Sequence, residues 1–290
     1  MRVAVHGVTY RVRAAGAGPP LLLLHGFTGT GLTWAPLMPA LSQRFRAVAP
    51  DLLGHGETGA PLDPARYRME RCVADLLALL DALGIERCHV LGYSMGGRVA
   101  LHLALAAPAR VATLVLEGAS PGIADPQERE ARRRQDEALA AFIEREGVPA
   151  FVERWEKLPL FASQERLPPA VRAAVRAQRL QHTAVGLANS LRGMGAGAQE
   201  PLVDRLGSLA MPCLLVAGEL DEKYRGLVAV MAERLPRAET AVVPGAGHNV
   251  HLERPEAFLA RVLAFWDQHI PGDPEAGQGK GVHRKEVQGR

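Results

Sequence analysis

The chain has 290 residues, 48% hydrophobic and 22% charged, which suits one large α/β domain carrying an insertion, or two domains. Its net charge is +3 with acidic and basic residues interspersed, so no basic block points to nucleic acid or to a membrane surface. No apolar run approaches the ~18 residues of a bilayer span, and Cys72, Cys88 and Cys213 stand far apart with no CxxC, which fits reduced thiols in a cytoplasm. The first residues run directly into strand-like sequence, with no charged start and apolar core of a secretory leader.

In chain order, "VAVHGVTYRVRAAG" (3–16) alternates apolar and polar residues and predicts a hairpin. "PPLLLLHG" (19–26) is a short apolar run ended by glycine, the pattern of a strand buried on both faces. "TWAPLMPALSQ" (33–43) has helical spacing, and "FRAVAPDLLGHG" (45–56) reads as a strand entering a glycine-rich loop. "YRMERCVADLLALLDALG" (67–84) predicts an amphipathic helix capped by Gly84. A strand over "CHVLGYS", a helix over "MGGRVALHLALAAP" and a strand over "VATLVLEGA" (111–119) follow. Such alternation predicts a mostly parallel sheet flanked by helices.

The pattern changes after Ala119. Residues 120–205 hold no convincing strand, are rich in Arg and Glu, and have helical period broken at Pro149, Pro159, Pro168 and Pro169. Strand, helix, strand and helix then return over "MPCLLVAGELD" (211–221), "LVAVMAERLP", "AETAVVPGAGH" and "RPEAFLARVLAFWDQH". The expected organisation is therefore a core over 1–119 and 206–270, a helical cap over 120–205, and a Gly/Pro-rich tail over 271–290 expected to be disordered.

Gly92-Tyr93-Ser94-Met95-Gly96 fits G-x-S-x-G between a strand and a helix, where a tight turn exposes a serine hydroxyl. A serine nucleophile needs a base. His248 lies in the loop after the last strand, with His251 as near rival; His25 and His55 sit in glycine loops and read as structural. The acid is expected after the preceding strand, where "AGELDEKY" offers Glu219, Asp221 and Glu222; Asp221 lies just past the strand end. The N–H groups of Phe27, in "LHGFTGTG", and of Met95 are the expected oxyanion donors. "DLLGHG" reads as a tight loop rather than a binding element. No His/Cys/Asp cluster has metal-ligand spacing, and no cofactor is expected.

Arg98 stands four residues after Ser94, on the same helix face, where an apolar run begins. Thirty of the 34 basic residues are Arg, so a lone Arg is weak evidence, but a buried guanidinium needs an anion. That anion is either a structural carboxylate or a substrate carboxylate held bidentately.

These motifs resemble the α/β-hydrolase family over roughly residues 1–270. With "LEGASPG", "QERE", "RWEKLPLFAS", "NSLRGMGAGAQ" and "GAGHNVHLERP" added, the chain resembles the 2-succinyl-6-hydroxy-2,4-cyclohexadiene-1-carboxylate synthases of menaquinone biosynthesis. The resemblance implies a lyase on a hydrolase scaffold, eliminating pyruvate from 2-succinyl-5-enolpyruvyl-6-hydroxy-3-cyclohexene-1-carboxylate, a small-molecule tricarboxylate. It implies Ser94, Asp221 and His248 as a triad, Arg98, Arg129 and Arg192 as carboxylate ligands, and Tyr93 and Trp155 as pocket walls. Arg132, Arg133 and Arg134 follow Arg129 closely enough to compete for its place. The expected state is a monomer or small homo-oligomer; the competing activity is a serine C–C hydrolase or carboxylesterase.

Overall fold

The computed structural model describes residues 1–270. Among the described residues eight strands form one sheet in the order β1-β2-β4-β3-β5-β6-β7-β8. They are β1 (Arg2–Val5), β2 (Val8–Ala15), β3 (Pro20–Leu24), β4 (Arg46–Pro50), β5 (Cys88–Tyr93), β6 (Val111–Glu117), β7 (Cys213–Gly218) and β8 (Ala238–Val243). β1 and β2 pair antiparallel, β2 runs antiparallel to β4, and all later neighbours are parallel. His6 (φ 44°) and Gly7 (φ 79°) make the hairpin turn, in the left-handed region that matches strand twist. β5 and β7 are buried along their whole length and β3 nearly so, whereas the C-terminal half of the edge strand β8 alternates between buried and exposed residues.

Helices cover both faces. On one lie α2 (Met69–Ala82), α3 (Met95–Ala106) and α7 (Glu222–Ala232), whose Leu76, Leu80, Val99, Leu103 and Met231 join the larger core. On the other lie α1 (Met38–Leu41) and α9 (Pro255–His269), with Leu41, Phe258, Phe265 and Trp266 packed on Leu21, Leu23 and Val216. Each such side chain contributes roughly 1.5–3 kcal/mol by burial. Between them runs α8 (Val250–Glu253), a single turn.

The helix read over 33–43 is instead a 3-10 turn (Gly31–Trp34) followed by the one-turn α1. Pro36 and Pro39 lack the N–H groups that a continuous helix needs there.

Between β6 and β7 the chain forms α4 (Pro126–Trp155), α5 (Pro169–Leu180) and α6 (Ala184–Met194). α4 breaks at Gly147 (φ 82°, ψ 169°), two residues before Pro149. Pro159 opens a 3-10 turn and Pro169 opens α5. These helices have their own core of Ile143, Phe151, Val152, Leu187 and Leu191, and Phe27 packs against both this core and the larger sheet core. The tail expected to be disordered lies outside the described residues.

Candidate active site

Ser94 joins β5 to α3 with φ 52° and ψ −109°, a conformation costly for a residue with a Cβ. Its own N–H donates to the Glu117 carbonyl (2.8 Å), and its carbonyl accepts the Arg98 N–H (3.1 Å), so both sides of the residue are held. The motif glycines are steric necessities. A Cβ on Gly92 would stand 2.4 Å from the Gly96 carbonyl oxygen, and one on Gly96 would stand 2.1 Å from that of Leu24. The strained turn presents the serine hydroxyl at the sheet's C-terminal edge.

Loops after β7 and β8 bring up the partners. The Ser94 hydroxyl lies 3.0 Å from His248 Nε2, and His248 Nδ1 lies 2.7 Å from Asp221 Oδ2. With the proton on Nδ1, that nitrogen donates to the carboxylate and Nε2 accepts from the serine. Asp221 also caps α7, its other oxygen accepting the Tyr224 N–H at 3.3 Å. Glu219 instead accepts the Gly245 N–H at 2.8 Å. His25 accepts the Leu52 N–H at Nε2 and meets the Gly26 carbonyl through Nδ1; His55 meets the Leu53 carbonyl. His251, the rival base, pairs with Glu117. Among the described residues neither the Phe27 nor the Met95 backbone N–H has a hydrogen-bond acceptor. Both border the cavity above Ser94.

That cavity, about 860 Å³, is walled by the sheet edge on one side and by α4, α5 and α6 on the other. Its charged walls are all basic: Arg98, Arg132, Arg179 and Lys223, with no carboxylate among the described lining residues. Arg98 donates to the Met194 carbonyl (2.7 Å) and to Gln199 Oε1 (3.0 Å). No carboxylate forms an ion pair with it among the described residues, and burial pushes its pKa down to about 10. Arg132 bonds Asp136 at 2.8 Å; Arg179 bonds Glu156 at 3.2 Å and lies over the Phe161 ring. Burial, and secondarily the Glu117 charge, raises the Tyr93 phenol well above its ordinary value, so it keeps its proton.

Tyr93 and Trp155 both border the cavity. Trp155 also packs edge-on to Phe27 at 5.3 Å, so it is wall and core at once. Two expected carboxylate ligands are not where the resemblance placed them. Arg129 turns back on the start of its own helix and donates to the Ile123 (3.0 Å) and Ala124 (3.3 Å) carbonyls. Arg192 is held away from the cavity by Glu137 (2.8 Å) and Glu144 (2.5 Å). The "SLRGMGAGAQ" segment still serves the site, but through Met194 and Gln199, which grip Arg98. Of the arginines after Arg129, Arg132 is the one that borders the cavity. Arg179 and Tyr224 were missed. The signal for Arg179 was its place on the stripe Val171–Val175–Arg179, spaced by four residues, all three now cavity walls.

A model of the alpha/beta hydrolase fold family matches residues 19–255, and the chain belongs to that family. Within it, the chain is 44% identical over 261 residues to a Bacillus subtilis (strain 168) protein provisionally named 2-succinyl-6-hydroxy-2,4-cyclohexadiene-1-carboxylate synthase; the match covers 89% of this chain and 95% of that one. It is 32% identical to the Serratia proteamaculans (strain 568) protein of the same name, covering 85% of this chain and 92% of that one. The solved structure of MenH from S. aureus superposes with a TM-score of 0.85 at 32% identity, over 90% of this chain and 98% of that one.

Proposed function

We propose that the chain is a carbon–oxygen lyase of menaquinone biosynthesis. It would act in the cytoplasm, converting 2-succinyl-5-enolpyruvyl-6-hydroxy-3-cyclohexene-1-carboxylate to pyruvate and the cyclohexadiene product named for its relatives. The observation that carries this reading is the wall chemistry: Arg98, held only by neutral acceptors, and Lys223 border the cavity beside Ser94 with Arg132 and Arg179, which have their own carboxylates outside it, and no carboxylate is among the described lining residues. A neutral ester gains little from such a cavity, whereas a substrate with three carboxylates supplies the missing counter-charge.

In this reading Ser94 takes the acidic ring proton while passing its own to His248 Nε2, and Asp221 steadies the imidazolium that forms. The developing oxyanion is met by the Phe27 and Met95 N–H groups. No acyl-enzyme is needed. Arg98 offers a planar fork one turn from Ser94, and Arg132 and Arg179 border the same cavity. Helices α4 to α6 act as a cap that keeps water from the enolate.

The test is a coupled pyruvate-release assay with the enolpyruvyl substrate. Wild type should turn over without an acyl-enzyme burst, and Ser94→Ala should lose activity about 1,000-fold or more. Ester hydrolysis with a burst and no pyruvate release would favour the hydrolase alternative.

A further inference from the structure

β6 ends in Glu117, a carboxylate at 0% exposure. The described partners of that carboxylate both belong to His251: its backbone N–H reaches Oε1 at 3.0 Å and its Nδ1 reaches Oε2 at 2.7 Å. His251 is itself 3% exposed and borders the cavity. Its ring is wedged between the Trp34 indole, centroids 4.6 Å apart, and the edge of Tyr93 at 4.9 Å. With Nδ1 committed to Glu117, Nε2 has no hydrogen-bond partner among the described residues and is the ring atom left for the cavity. The Tyr93 ring also meets that of His248, centroids 5.4 Å apart. The site thus holds two carboxylate–imidazole pairs, and the reading above uses one.

The pairs differ in how the carboxylate is held. Asp221 caps the eleven-residue α7, whose N-terminus stabilises its charge without help from a protonated histidine. Glu117 has no such support: α8 is one turn long, and an unpaired carboxylate at that depth costs several kcal/mol. A proton on His251 removes that cost, leaving Nε2–H directed at the cavity.

The elimination needs that donor. Pyruvate leaves as an enol form and must gain a proton on carbon. Resting on the lyase reading, we propose that His251 is the acid of the reaction and Glu117 the positioning residue that keeps it protonated. The ring C–H electron pair becomes a new ring C=C, the existing ring C=C shifts one bond toward the carbon bearing the enolpyruvyl group, and the C–O bond there breaks with its electrons passing to the enolpyruvyl oxygen. The enolate then takes the His251 Nε2 proton at its methylene carbon, giving the methyl and carbonyl of pyruvate. One proton arrives at His248 and one leaves His251, and exchange with solvent restores both. Glu117 from β6 is the charged group bonded to His251, whose ring also meets Trp34, Tyr93 and Phe258. The adjacent Tyr93 phenol feels Glu117, Arg179 from α5, Tyr224 from α7 and Glu253 from α8, with the His248 ring beside it.

The test compares wild type, His251→Asn and Glu117→Gln, following pyruvate release against pH. His251→Asn should lose on the order of 100-fold in kcat with KM little changed, the span of one general acid. Glu117→Gln keeps the side-chain volume but removes the charge, so the alkaline limb of kcat/KM should move to lower pH. A merely structural pair would lower the melting temperature and leave the limb in place, which overturns the proposal. Nitrogen-15 spectra of the substrate-free protein should show both His251 ring nitrogens protonated near neutral pH in wild type and one in Glu117→Gln; a neutral wild-type ring overturns it also. Wild type without pyruvate release sinks the lyase reading and the acid role together. An active wild type whose profile Glu117→Gln reproduces sinks the acid role alone.

Discussion

Arg98 meets only neutral acceptors among the described residues, the Met194 carbonyl and the Gln199 amide oxygen, so its charge is solvated but not neutralised. A structural salt bridge, the alternative that spacing left open, is not among its described contacts. Arg98→Ala should therefore cost about 2–5 kcal/mol in kcat/KM, the range for truncating one partner of a buried charged pair. Its effect on stability should be near 1 kcal/mol, the value of the lost hydrogen bonds. Arg98→Lys keeps the charge but loses the fork and should already impair turnover. Kinetics and thermal unfolding on the same variants check both; a destabilised but fully active Arg98→Ala would remove the substrate-carboxylate role. Arg98 was legible because its neighbours fix it: a residue four after the nucleophile must share its helix face. Arg129 and Arg192 were not. Their motifs gave residue type and spacing, but on amphipathic cap helices the partner decides direction, and Glu137 and Glu144 lie more than 45 residues from Arg192 in sequence.

At the scale of elements, the sheet could be read because parallel strands covered on both faces leave little choice of residue: β7 is apolar throughout and ends in Gly218, and β5 is buried along its whole length, with His89 its one imidazole. The break in α4 was harder, since Pro149 drew attention from Gly147, where the chain leaves the helix. A φ of 82° with ψ of 169° is a region that residues with a Cβ avoid. A Cβ there would meet nothing nearer than the Pro149 ring at 3.7 Å, so Gly147→Ala isolates the backbone cost. It should destabilise by roughly 1–3 kcal/mol in urea unfolding. The second half of α4 carries Phe151 and Trp155 onto Phe27, whose N–H is the proposed oxyanion donor, so KM and kcat should both shift. Unchanged stability would mean that the break relaxes into continuous helix at no cost.

Across the whole molecule, three buried histidines tie separate parts together. His25 follows β3, His55 lies in the loop after β4, and His182 stands between α5 and α6; their rings lie 5.1 and 5.3 Å apart in series. His182 accepts the Gly56 N–H (3.0 Å) and meets the Thr28 carbonyl (2.8 Å), joining the cap helices to the segment that carries Phe27. Burial lowers all three pKa values, His25 to about 4 and the others in the same direction, and repulsion from neighbouring imidazoles adds to it at His25 and His55. The unfolded chain binds protons at these sites near pH 6.5 while the folded chain refuses them. Their neutral forms are therefore fully compatible with the fold above about pH 6.5, and stability falls as pH drops from there toward 4. For His25 alone the loss approaches about 3 kcal/mol across that window. The melting temperature should fall through this range, and His55→Phe, which keeps a ring in the cluster but takes up no proton, should flatten the fall. His55 is the right site to change because its Nε2 is buried without a partner among the described residues and accepts no backbone N–H that the substitution would strand. Parallel melting curves for the two proteins from pH 7 to 4.5 would show that the cluster is not what limits stability in acid, and would move that role to the carboxylates.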